Sequence, residues 1–438
     1  MSHRLVVRAG AFLVGLVFFL AWPQVGRATG PDIRVGISVD VPQVTVSSTG
    51  AVTVRQGNQV VASPSSASTI LVRRTAQGLE VMVNGTVVSS AAGVVSLIPG
   101  SGQHLRVNQV TYRGRMEVHP GTPNNVVLVN ILPLEQYLYG VVPAEMPSTW
   151  PLEALKAQAV AARTYAVSQL ASPARPGVFD LFATVVNQVY GGLSRETVRS
   201  NQAVDETRGE ILVHGGQPVR AVYHSSSGGH TENSSIVWGG SFSYLTGVPD
   251  FDQESPHYSW TVAWTPEDLG ALFQRAGHLV GTVTALRPAG IQGVSGRWTH
   301  YDVVGQLRTV RVTANDLRAI LGLRSTLFEI QTGMAAAGPV TQVFANYRTA
   351  FVFAANKRWV AQTPSSYHVV GAEGIVQPVN WPTVLSAYSV PNAIAFVGRG
   401  WGHGVGMSQW GARGMALMGN NYRQILAHYY RGAVLIRN

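Results

Sequence analysis

The chain has 438 residues, of which 46% are hydrophobic and only 12% are charged, so it can bury a core and is unlike a disordered chain. It contains no cysteine, which excludes disulfide scaffolds, iron–sulfur clusters, thiol nucleophiles and cysteine-based zinc sites. Its 32 Lys and Arg against 22 Asp and Glu give a formal charge of +10. That balance favours anionic partners.

The first 28 residues have the pattern of an export signal. Arg4 and Arg8 make a positive start, Ala9 to Trp22 is an uncharged apolar run, and Gly26-Arg27-Ala28 offers small residues for a signal peptidase. Removing this segment takes away three arginines and lowers the formal charge to +7. We therefore expect an extracellular protein at the cell wall, with an uncleaved N-terminal membrane anchor as the alternative.

Residues 31–108 predict a β-rich N-terminal lobe. Ile33 to Ile37, Val44 to Val46 and Ala51 to Val54 alternate large with small or polar side chains at period two. Asn84-Gly85 lies between two such runs, and Asn-Gly is a strong hairpin signal. Nothing in this lobe indicates chemistry.

Residues 109–438 predict a second domain, which mixes helices with antiparallel strands, so the fold class is α+β with a groove in this domain. The predicted helices run from Pro151 to about Gln169, from Ser194 to Thr207, from Thr265 to Arg275, from Thr313 to Leu321 and from Tyr422 to Tyr430. Strands are predicted from Glu210 to Val213 and from Val219 to Tyr223, and residues 337–395 form another β-rich stretch.

Glu145 is the most conspicuous candidate for chemistry. It lies between Pro143 and Pro147, in a stretch that we predict to be a rigid loop just before the longest helix. An apolar pocket formed by Met146 and Trp150 would raise its pKa, as a general acid requires, whereas the helix N-terminus would lower it. The local sequence leaves open that Glu145 is an ordinary acid complementing a helix dipole.

Three further positions have open interpretations. His224 and His230 are metal ligands or hydrogen-bonding groups of a cleft, and their spacing matches no recognised ligand motif. Ser225 to Ser227 lack the Gly-x-Ser-x-Gly pattern of a nucleophile elbow. His403 lies among glycines 400, 402, 404 and 406 and either lines a site or belongs to a structural turn.

Together these segments resemble the SpoIID/LytB family of bacterial cell-wall proteins. The resemblance covers roughly residues 110–438. The residues that carry it are Ile131 to Pro147, which include Ala144-Glu145-Met146-Pro147, then Leu152 to Ala166, Tyr223 to Glu232, Leu321 to Ser325, and Gly400 to Ala412.

The resemblance implies a lytic transglycosylase that cleaves the glycan strands of peptidoglycan, with Glu145 as the catalytic acid. Such an enzyme needs one carboxyl group, because the 6-hydroxyl of the sugar attacks internally and leaves a 1,6-anhydro end. It needs no metal and no cofactor. A protein with few acidic residues is compatible with this chemistry.

The resemblance assigns the remaining site residues to substrate binding. Arg163 and Tyr165 border the cleft, and Gln409 bonds an acetamido group. His224, Ser225, Ser226 and His403 line the groove. Some relatives hold a structural zinc with histidine and cysteine near this block, and the absence of cysteine here predicts that the zinc site is lost.

Two other functions remain open at this stage. One is a non-catalytic wall-binding protein that enhances an amidase, so an amidase is a possible partner besides the glycan strands. The other is a metal-dependent hydrolase that uses His224, His230 and His403. Nucleic acid is not an expected partner, because the sequence has no basic helix, basic run or zinc finger. Membrane contact is expected only through an uncleaved N-terminal segment.

Overall fold

The computed structural model describes residues 30–172, 177–332 and 393–437, together with the backbone of five strands between residues 344 and 378. The predicted export segment lies outside these residues. Helices and mainly antiparallel strands both contribute, which confirms the α+β prediction. None of the helices in the described part of the chain is long and apolar enough to cross a membrane.

Two mainly antiparallel sheets build the N-terminal part of the molecule, with one parallel pair between β1 and β13. One sheet has the strand order β13-β1-β12-β11-β8-β3-β4, and the other has the order β10-β9-β2-β5-β6-β7. The strands are β1 Asp32–Val41, β2 Gln43–Ser48, β3 Val52–Gln56, β4 Gln59–Ala62, β5 Thr69–Thr75, β6 Gly78–Val83, β7 Thr86–Ala91, β8 Val95–Pro99, β9 Leu105–Val107, β10 Val110–Tyr112, β11 Arg115–Pro120, β12 Val126–Pro133 and β13 Leu181–Phe182.

The predicted hairpin turn at Asn84-Gly85 is confirmed. It joins β6 to β7, and both residues have positive φ angles, 48° and 84°. Asn and Gly tolerate that conformation, which is the one that a type I′ hairpin requires. The Asn-Gly turn that supported the β-rich prediction is therefore present in the structure.

The first sheet joins strands from both sides of residue 109. β1 pairs antiparallel with β12, so Ile33 lies opposite Leu132. The same hydrophobic core continues from these strands into the helices that follow, and it includes Tyr137 and Leu155. The division at residue 109 stays a prediction. The strand that leads into the Glu145 segment is thus held from both sides by the sheet.

The remaining elements follow in chain order. The helices are α1 Leu134–Glu145, α2 Leu152–Leu170, α3 Val198–Glu206, α4 Ser234–Trp238, α5 Pro266–Arg275, α6 Ala314–Leu321, α7 Gln409–Leu417 and α8 Tyr422–Tyr429, with a short 3₁₀ helix at Leu193–Arg195. The strands are β14 Glu210–His214, β15 Gln217–Pro218, β16 Tyr223–His224, β17 Ser259–Trp264, β18 Val283–Gln292, β19 Trp298–Gly305, β20 Thr309–Thr313, β21 Phe328–Thr332, β22 Phe344–Asn346, β23 Thr349–Phe353, β24 Trp359–Thr363, β25 Ser366–Gly371, β26 Gly374–Pro378, β27 Ile394–Arg399, β28 Met407–Ser408 and β29 Val434–Arg437.

The helix predicted from Pro151 to about Gln169 is confirmed as α2, which lies in the interior. Ala157, Ala159, Ala161 and Ala162 are fully buried. α2 packs against α1, α3, β14, α7 and α8, so its small side chains allow close approach from several directions. A larger side chain at one of these positions would cost about 1–3 kcal/mol of stability. α2 therefore packs against both α1, which carries Glu145, and α7, which carries Gln409.

Two of the other predicted helices are confirmed with the predicted caps. The Thr265 side chain accepts a hydrogen bond from the Asp268 backbone at the start of α5, and Thr313 accepts one from Asp316 at the start of α6. The helix predicted from Ser194 to Thr207 is divided into the 3₁₀ turn and α3, which Thr197 caps. α5 and α6 pack on a second hydrophobic core, which includes Trp264, Phe273 and Phe396.

Two predictions differ from the structure. The proline-bracketed loop is in fact the end of a helix, because α1 continues through Pro143 to Glu145. The buried face of α1, which includes Val141 and Val142, packs on α2, and this tertiary contact outweighs the cost of proline in the last turn. The strand predicted from Val219 to Tyr223 is replaced by the short strands β15 and β16.

Candidate active site

The Glu145 carboxylate lies at the end of α1, where three other segments meet it. Its Oε1 accepts a hydrogen bond from the Val189 backbone N–H at 2.7 Å, and its Oε2 accepts one from Gln409 Nε2 at 3.3 Å. The Tyr223 hydroxyl also hydrogen-bonds to the carboxyl group. The donors are all neutral groups, so the carboxylate is held in place without a cation.

Burial raises the pKa of Glu145, and the hydrogen bonds from Val189, Gln409 and Tyr223 lower it only in part. No second carboxyl group is among the described groups that shift this pKa. The helix dipole acts in the direction opposite to the sequence-based expectation. Glu145 ends α1, and the C-terminal end of a helix carries partial negative charge, which disfavours the anion. The site therefore favours a protonated carboxyl group.

Gln188 holds the Tyr223 hydroxyl in place. Its Nε2 donates to that hydroxyl oxygen at 3.0 Å, which leaves the Tyr223 proton free for Glu145. Its Oε1 accepts a hydrogen bond from the Tyr137 hydroxyl at 3.2 Å. Gln188 is fully buried, so losing it would leave both hydroxyl groups without this partner. Gln188 and Val189 were not predicted as site residues, because they lie in an irregular loop that carries no sequence motif.

Gln409 lies at the start of α7, and the Ser408 side chain caps this helix by accepting a hydrogen bond from Gly411 N. β28, which ends at Ser408, pairs in parallel with β16, so Ser408 lies opposite His224 and Met407 lies opposite Tyr223. This pairing brings the two predicted segments of the site together. Gln409 contacts Glu145 directly, and its predicted bond to an acetamido group stays a prediction.

Glycines allow the segment from 400 to 406 to approach this pairing closely. Gly402 has a φ of 119°, and a Cβ atom there would lie 2.7 Å from the His224 Cβ. At Gly406, with a φ of 72°, a Cβ atom would lie 2.2 Å from the Val222 carbonyl oxygen. Both distances are too short for any other residue, so these glycines have a structural reason of their own.

Two buried aspartates fix the serine-rich loop. Ser226 donates to Asp252 at 2.5 Å, and Ser227 donates to Asp250. Asp252 also accepts hydrogen bonds from the backbone N–H groups of Gly228 and Gly229 at 2.8 and 2.9 Å. Ser226 and Ser227 are fully buried, whereas Ser225 is partly exposed. Of these three serines, only Ser225 has exposed surface for a ligand.

His224 and His403 are neighbours, with ring centroids 5.2 Å apart. Burial lowers the pKa of His403 to about 3 and the pKa of His224 well below its ordinary value, and Arg297 and Arg318 lower both further. His224 Nδ1 bonds the Val405 carbonyl at 3.1 Å, while its Nε2 is buried without a partner. Both rings are therefore neutral at physiological pH.

The third histidine of the metal hypothesis has other partners. His230 Nδ1 hydrogen-bonds to the Thr231 carbonyl at 2.7 Å. Among the described residues, no group of three or more histidine, aspartate or glutamate side chains has a geometry that could hold a metal ion. Glu232 accepts hydrogen bonds from the loop at Val294 and Ser295, at 3.2 and 3.1 Å. His230 is thus bonded within its own loop, and Glu232 joins that loop to the one at Val294 and Ser295.

Arg163 and Tyr165 have different environments. Arg163 is 1% exposed and forms a two-pronged ion pair with Glu135, with both N–O distances at 2.9 Å. Its Nη atoms also donate to the carbonyl groups of Val204 and Glu210. The prediction that Arg163 borders the cleft thus differs from the structure. The Arg163 side chain lies on a buried face of α2, where it is paired with Glu135. Tyr165, which is 8% exposed, accepts a hydrogen bond from Asn187, beside Gln188.

Aromatic side chains lie on the segments that follow Glu145 and Gln409, and on the glycine-rich segment. Trp410 follows Gln409 in sequence, and its ring meets the Trp150 ring edge-on at a centroid distance of 4.8 Å. The Arg413 guanidinium lies over both rings, at 5.3 and 5.9 Å. Trp401, which is 44% exposed, meets His257 edge-on at 4.2 Å. Half-exposed tryptophan rings of this kind offer apolar faces next to polar groups.

Comparison with known proteins gives a consistent set of similarities. Residues 122–214 match the family model of the SpoIID stage II sporulation protein. The chain is 30% identical to the stage II sporulation protein D of Bacillus subtilis, over 69% of this chain and 74% of the relative. It is equally similar to an uncharacterized protein of Brachyspira hyodysenteriae, over 75% and 73% of the two chains.

A further relative has a different name. The amidase enhancer of Bacillus subtilis is 30% identical over 68% of this chain, but the chain spans only 40% of that protein. The match to the family model includes Glu145 and the segment that contains Gln188 and Val189, since both lie between residues 122 and 214.

Proposed function

Because the chain belongs to the SpoIID family, we propose that it is a peptidoglycan lytic transglycosylase with Glu145 as its acid and base. The observation that carries the proposal is the Glu145 carboxyl group itself. It is held by three neutral donors at the end of a buried helix, and burial raises its pKa. A protonated carboxyl group in a fixed position is what a general acid needs at near-neutral pH.

The proposed reaction uses the Glu145 carboxyl group twice, first as an acid that gives up its proton and then as a base that takes a proton from the substrate. Glu145 donates its proton to the oxygen that links N-acetylmuramic acid to N-acetylglucosamine, and the bond between this oxygen and the muramic C1 breaks. The resulting carboxylate then removes the proton from the 6-hydroxyl group of the same muramic residue as its oxygen attacks C1. The product is a 1,6-anhydro end, and Glu145 is protonated again. The internal attack has the advantage of proximity.

The surroundings of Glu145 suit a mechanism with one carboxyl group. Hydrolysing glycosidases place a second carboxylate about 5–10 Å from the acid, as nucleophile or base. No carboxyl group is among the described groups that shift the pKa of Glu145, and its hydrogen-bond partners are the Val189 backbone, Gln409 and Tyr223. When Glu145 is ionised after the first step, these three donors stabilise the anion. They thus serve both protonation states of the cycle.

Neighbouring side chains are suited to holding a glycan strand. The Trp150 and Trp410 rings present apolar surface for the faces of sugar rings, and Arg413 adds a positive charge beside them. Ser225 and His403 are the predicted groove residues with exposed surface near this site. We place the protein at the cell wall, with peptidoglycan strands as its substrate, because this family resemblance and the positive formal charge both favour an anionic wall.

Product analysis tests this proposal. Purified glycan strands are digested with the wild type, with Glu145→Gln and with Glu329→Gln, which changes an exposed glutamate on β21. We expect 1,6-anhydro ends, measured by mass spectrometry, from the wild type and from Glu329→Gln but not from Glu145→Gln. Reducing ends in place of anhydro ends would show hydrolysis. Equal activity of Glu145→Gln would remove Glu145 from the catalytic role.

The amidase enhancer among the relatives supports a second candidate function, which is non-catalytic stimulation of a wall amidase. This function needs binding to the wall but no proton transfer. The two functions separate in one assay: an amidase is incubated with wall substrate and either wild type or Glu145→Gln. Equal stimulation by both proteins, with no anhydro ends formed, would favour the enhancer function.

A further inference from the structure

A cavity of about 430 Å³ lies between α4, β19 and the start of α6. Its size is within the range of about 300–1,000 Å³ that is typical of small-molecule pockets. Its wall includes the side chains of Trp238, Trp298, His300 and Asn315. None of these side chains takes part in the chemistry proposed for Glu145, so the proposed function does not account for the cavity.

The wall of the cavity combines aromatic rings with unused polar groups. Trp238 is 38% exposed, and Trp298 is half-buried. His300 Nδ1 bonds the Thr299 hydroxyl at 3.0 Å, and Asn315 Nδ2 donates to the Val237 carbonyl at 2.7 Å. Among the described residues, His300 Nε2 and Asn315 Oδ1 have no hydrogen-bond partner, so one donor or acceptor of each side chain is available to a ligand.

This combination indicates a sugar rather than an ion or a lipid. Aromatic rings pack against the C–H faces of a pyranose, and amide and imidazole groups bond its hydroxyl and acetamido groups. No acidic side chain lines the cavity, which leaves it open to a neutral or anionic saccharide. A fully apolar wall would instead favour an acyl chain.

Trp238 connects the cavity with the Glu145 site. Its ring centroid lies 5.0 Å from that of His403, which is itself 5.2 Å from that of His224. His224 follows Tyr223, whose hydroxyl bonds Glu145. The Arg220 guanidinium lies 5.5 Å from the centre of the Trp238 ring and adds positive charge at this edge. These contacts link one wall of the cavity to the segment that holds Tyr223 beside Glu145.

We propose that this cavity is a distal saccharide subsite, which binds an N-acetylated amino-sugar residue several units away from the bond that Glu145 cleaves. The proposal rests on the proposed function for the identity of the polymer. Its consequence is selection for strand length: a strand long enough to fill the cavity binds more tightly than one that occupies only the Glu145 region.

The test measures binding without cleavage. Glycan fragments of two to eight sugars, prepared from purified peptidoglycan, are titrated by calorimetry into the full chain carrying Glu145→Gln. In this background, Trp238→Ala removes one wall, and Ser235→Trp fills the mouth of the cavity at an exposed position. Ser65→Trp, on an exposed loop of the N-terminal lobe, is the matched control. Ser235→Trp and Ser65→Trp are surface changes with small expected effects on folding, and circular dichroism checks the fold of all three variants.

We expect the affinity of the Glu145→Gln protein to rise by about 10-fold or more at one fragment length, as the strand reaches the cavity. Trp238→Ala and Ser235→Trp abolish that increase and leave the affinity for the shortest fragments unchanged, whereas Ser65→Trp retains it. An affinity that does not rise with length, or an increase that persists in Ser235→Trp, overturns the proposal. Because no cleavage is involved, failure of the transglycosylase proposal appears separately, in the product analysis.

Discussion

Helix α1 carries a glutamate near each end, Glu135 buried and Glu145 half-buried, and the two have opposite surroundings. Glu135, in the first turn, accepts two hydrogen bonds from Arg163 at 2.9 Å and one from the Gly209 backbone at 3.1 Å. Glu145, the last residue, has only neutral donors. The helix dipole strengthens the contrast, because it stabilises an anion at the start of α1 and destabilises one at the end.

The difference shows that burial alone does not mark the functional carboxylate. A buried anion that is fully paired with a cation is a structural group, and it gives no proton to a substrate. A buried carboxyl group that lacks a cation keeps a raised pKa, and such groups are found at catalytic sites. Glu145 and Glu135 are ten positions apart on one helix, so a pair of matched substitutions can test this distinction.

The largest expected effect is on catalysis at Glu145. Glu145→Gln should lower the rate of glycan cleavage by about 10²–10⁴-fold, since an amide cannot donate the proton at the scissile oxygen. Its stability should stay near that of the wild type, because the amide oxygen still accepts from Val189. Initial rates and urea unfolding of the same preparation measure both. If Glu145→Gln unfolds instead of losing activity alone, Glu145 is a structural group like Glu135 and the contrast between the two glutamates is wrong.

The reverse result is expected at Glu135. Glu135→Gln leaves the Arg163 guanidinium buried without its anion, and the free energy of unfolding should fall by about 3–5 kcal/mol. The cleavage rate per folded molecule should change little. Glu206→Gln, which breaks a more exposed pair with Lys156, is the matched control and should cost about 0–1 kcal/mol. Loss of activity with unchanged stability in Glu135→Gln would reverse the assignment of the two glutamates.

An intermediate effect is expected at Gln188, which positions the site without touching substrate. Gln188→Leu removes the partner of the Tyr223 and Tyr137 hydroxyls and should lower kcat by up to about 10²-fold. KM should change little, because no binding surface is altered. Steady-state kinetics on glycan strands separates the two constants. If KM rises while kcat is retained, Gln188 belongs to the binding surface instead.

The smallest effect is a dependence of stability on pH. The folded state raises the pKa of Glu145 above its unfolded value, so its stabilising effect is present below pH 4.5 and is lost as the pH rises through the folded pKa. Glu145→Gln should therefore melt above the wild type at pH 8 and close to it at pH 4. Calorimetry at both values measures the difference. A lower melting temperature than the wild type at pH 8 would contradict this sign.

The sequence predicted the elements that depend on local patterns. The turn at Asn84-Gly85, the helix that became α2 and the threonine caps of α5 and α6 follow from residue types at fixed offsets. The end of α1 could not be predicted in this way, because local rules for proline favour a loop at Pro143, while packing against α2 decides for the helix. Local propensity gives way to tertiary contacts there.

The site was predictable where a motif carries its residues. Glu145, Tyr223 and Gln409 lie in or next to recognisable blocks, and the structure brings them together through the parallel pairing of β16 with β28. Gln188 and Val189 lie in an irregular loop, so no pattern identifies them. Arg163 was misplaced because its partner Glu135 is 28 residues away in sequence. Side-chain pairing over that distance is a property of the fold.

The most direct test of the central claim is a titration of the Glu145 carboxyl group. Protein labelled with ¹³C at the glutamate carboxyl carbon is titrated by NMR, and the Glu145 signal is the one that disappears in Glu145→Gln. We predict a midpoint above the ordinary value of 4.5, because the carboxyl group is buried without a cation. A midpoint at or below 4.5 would show an ordinary ionised carboxylate and would contradict its role as the acid.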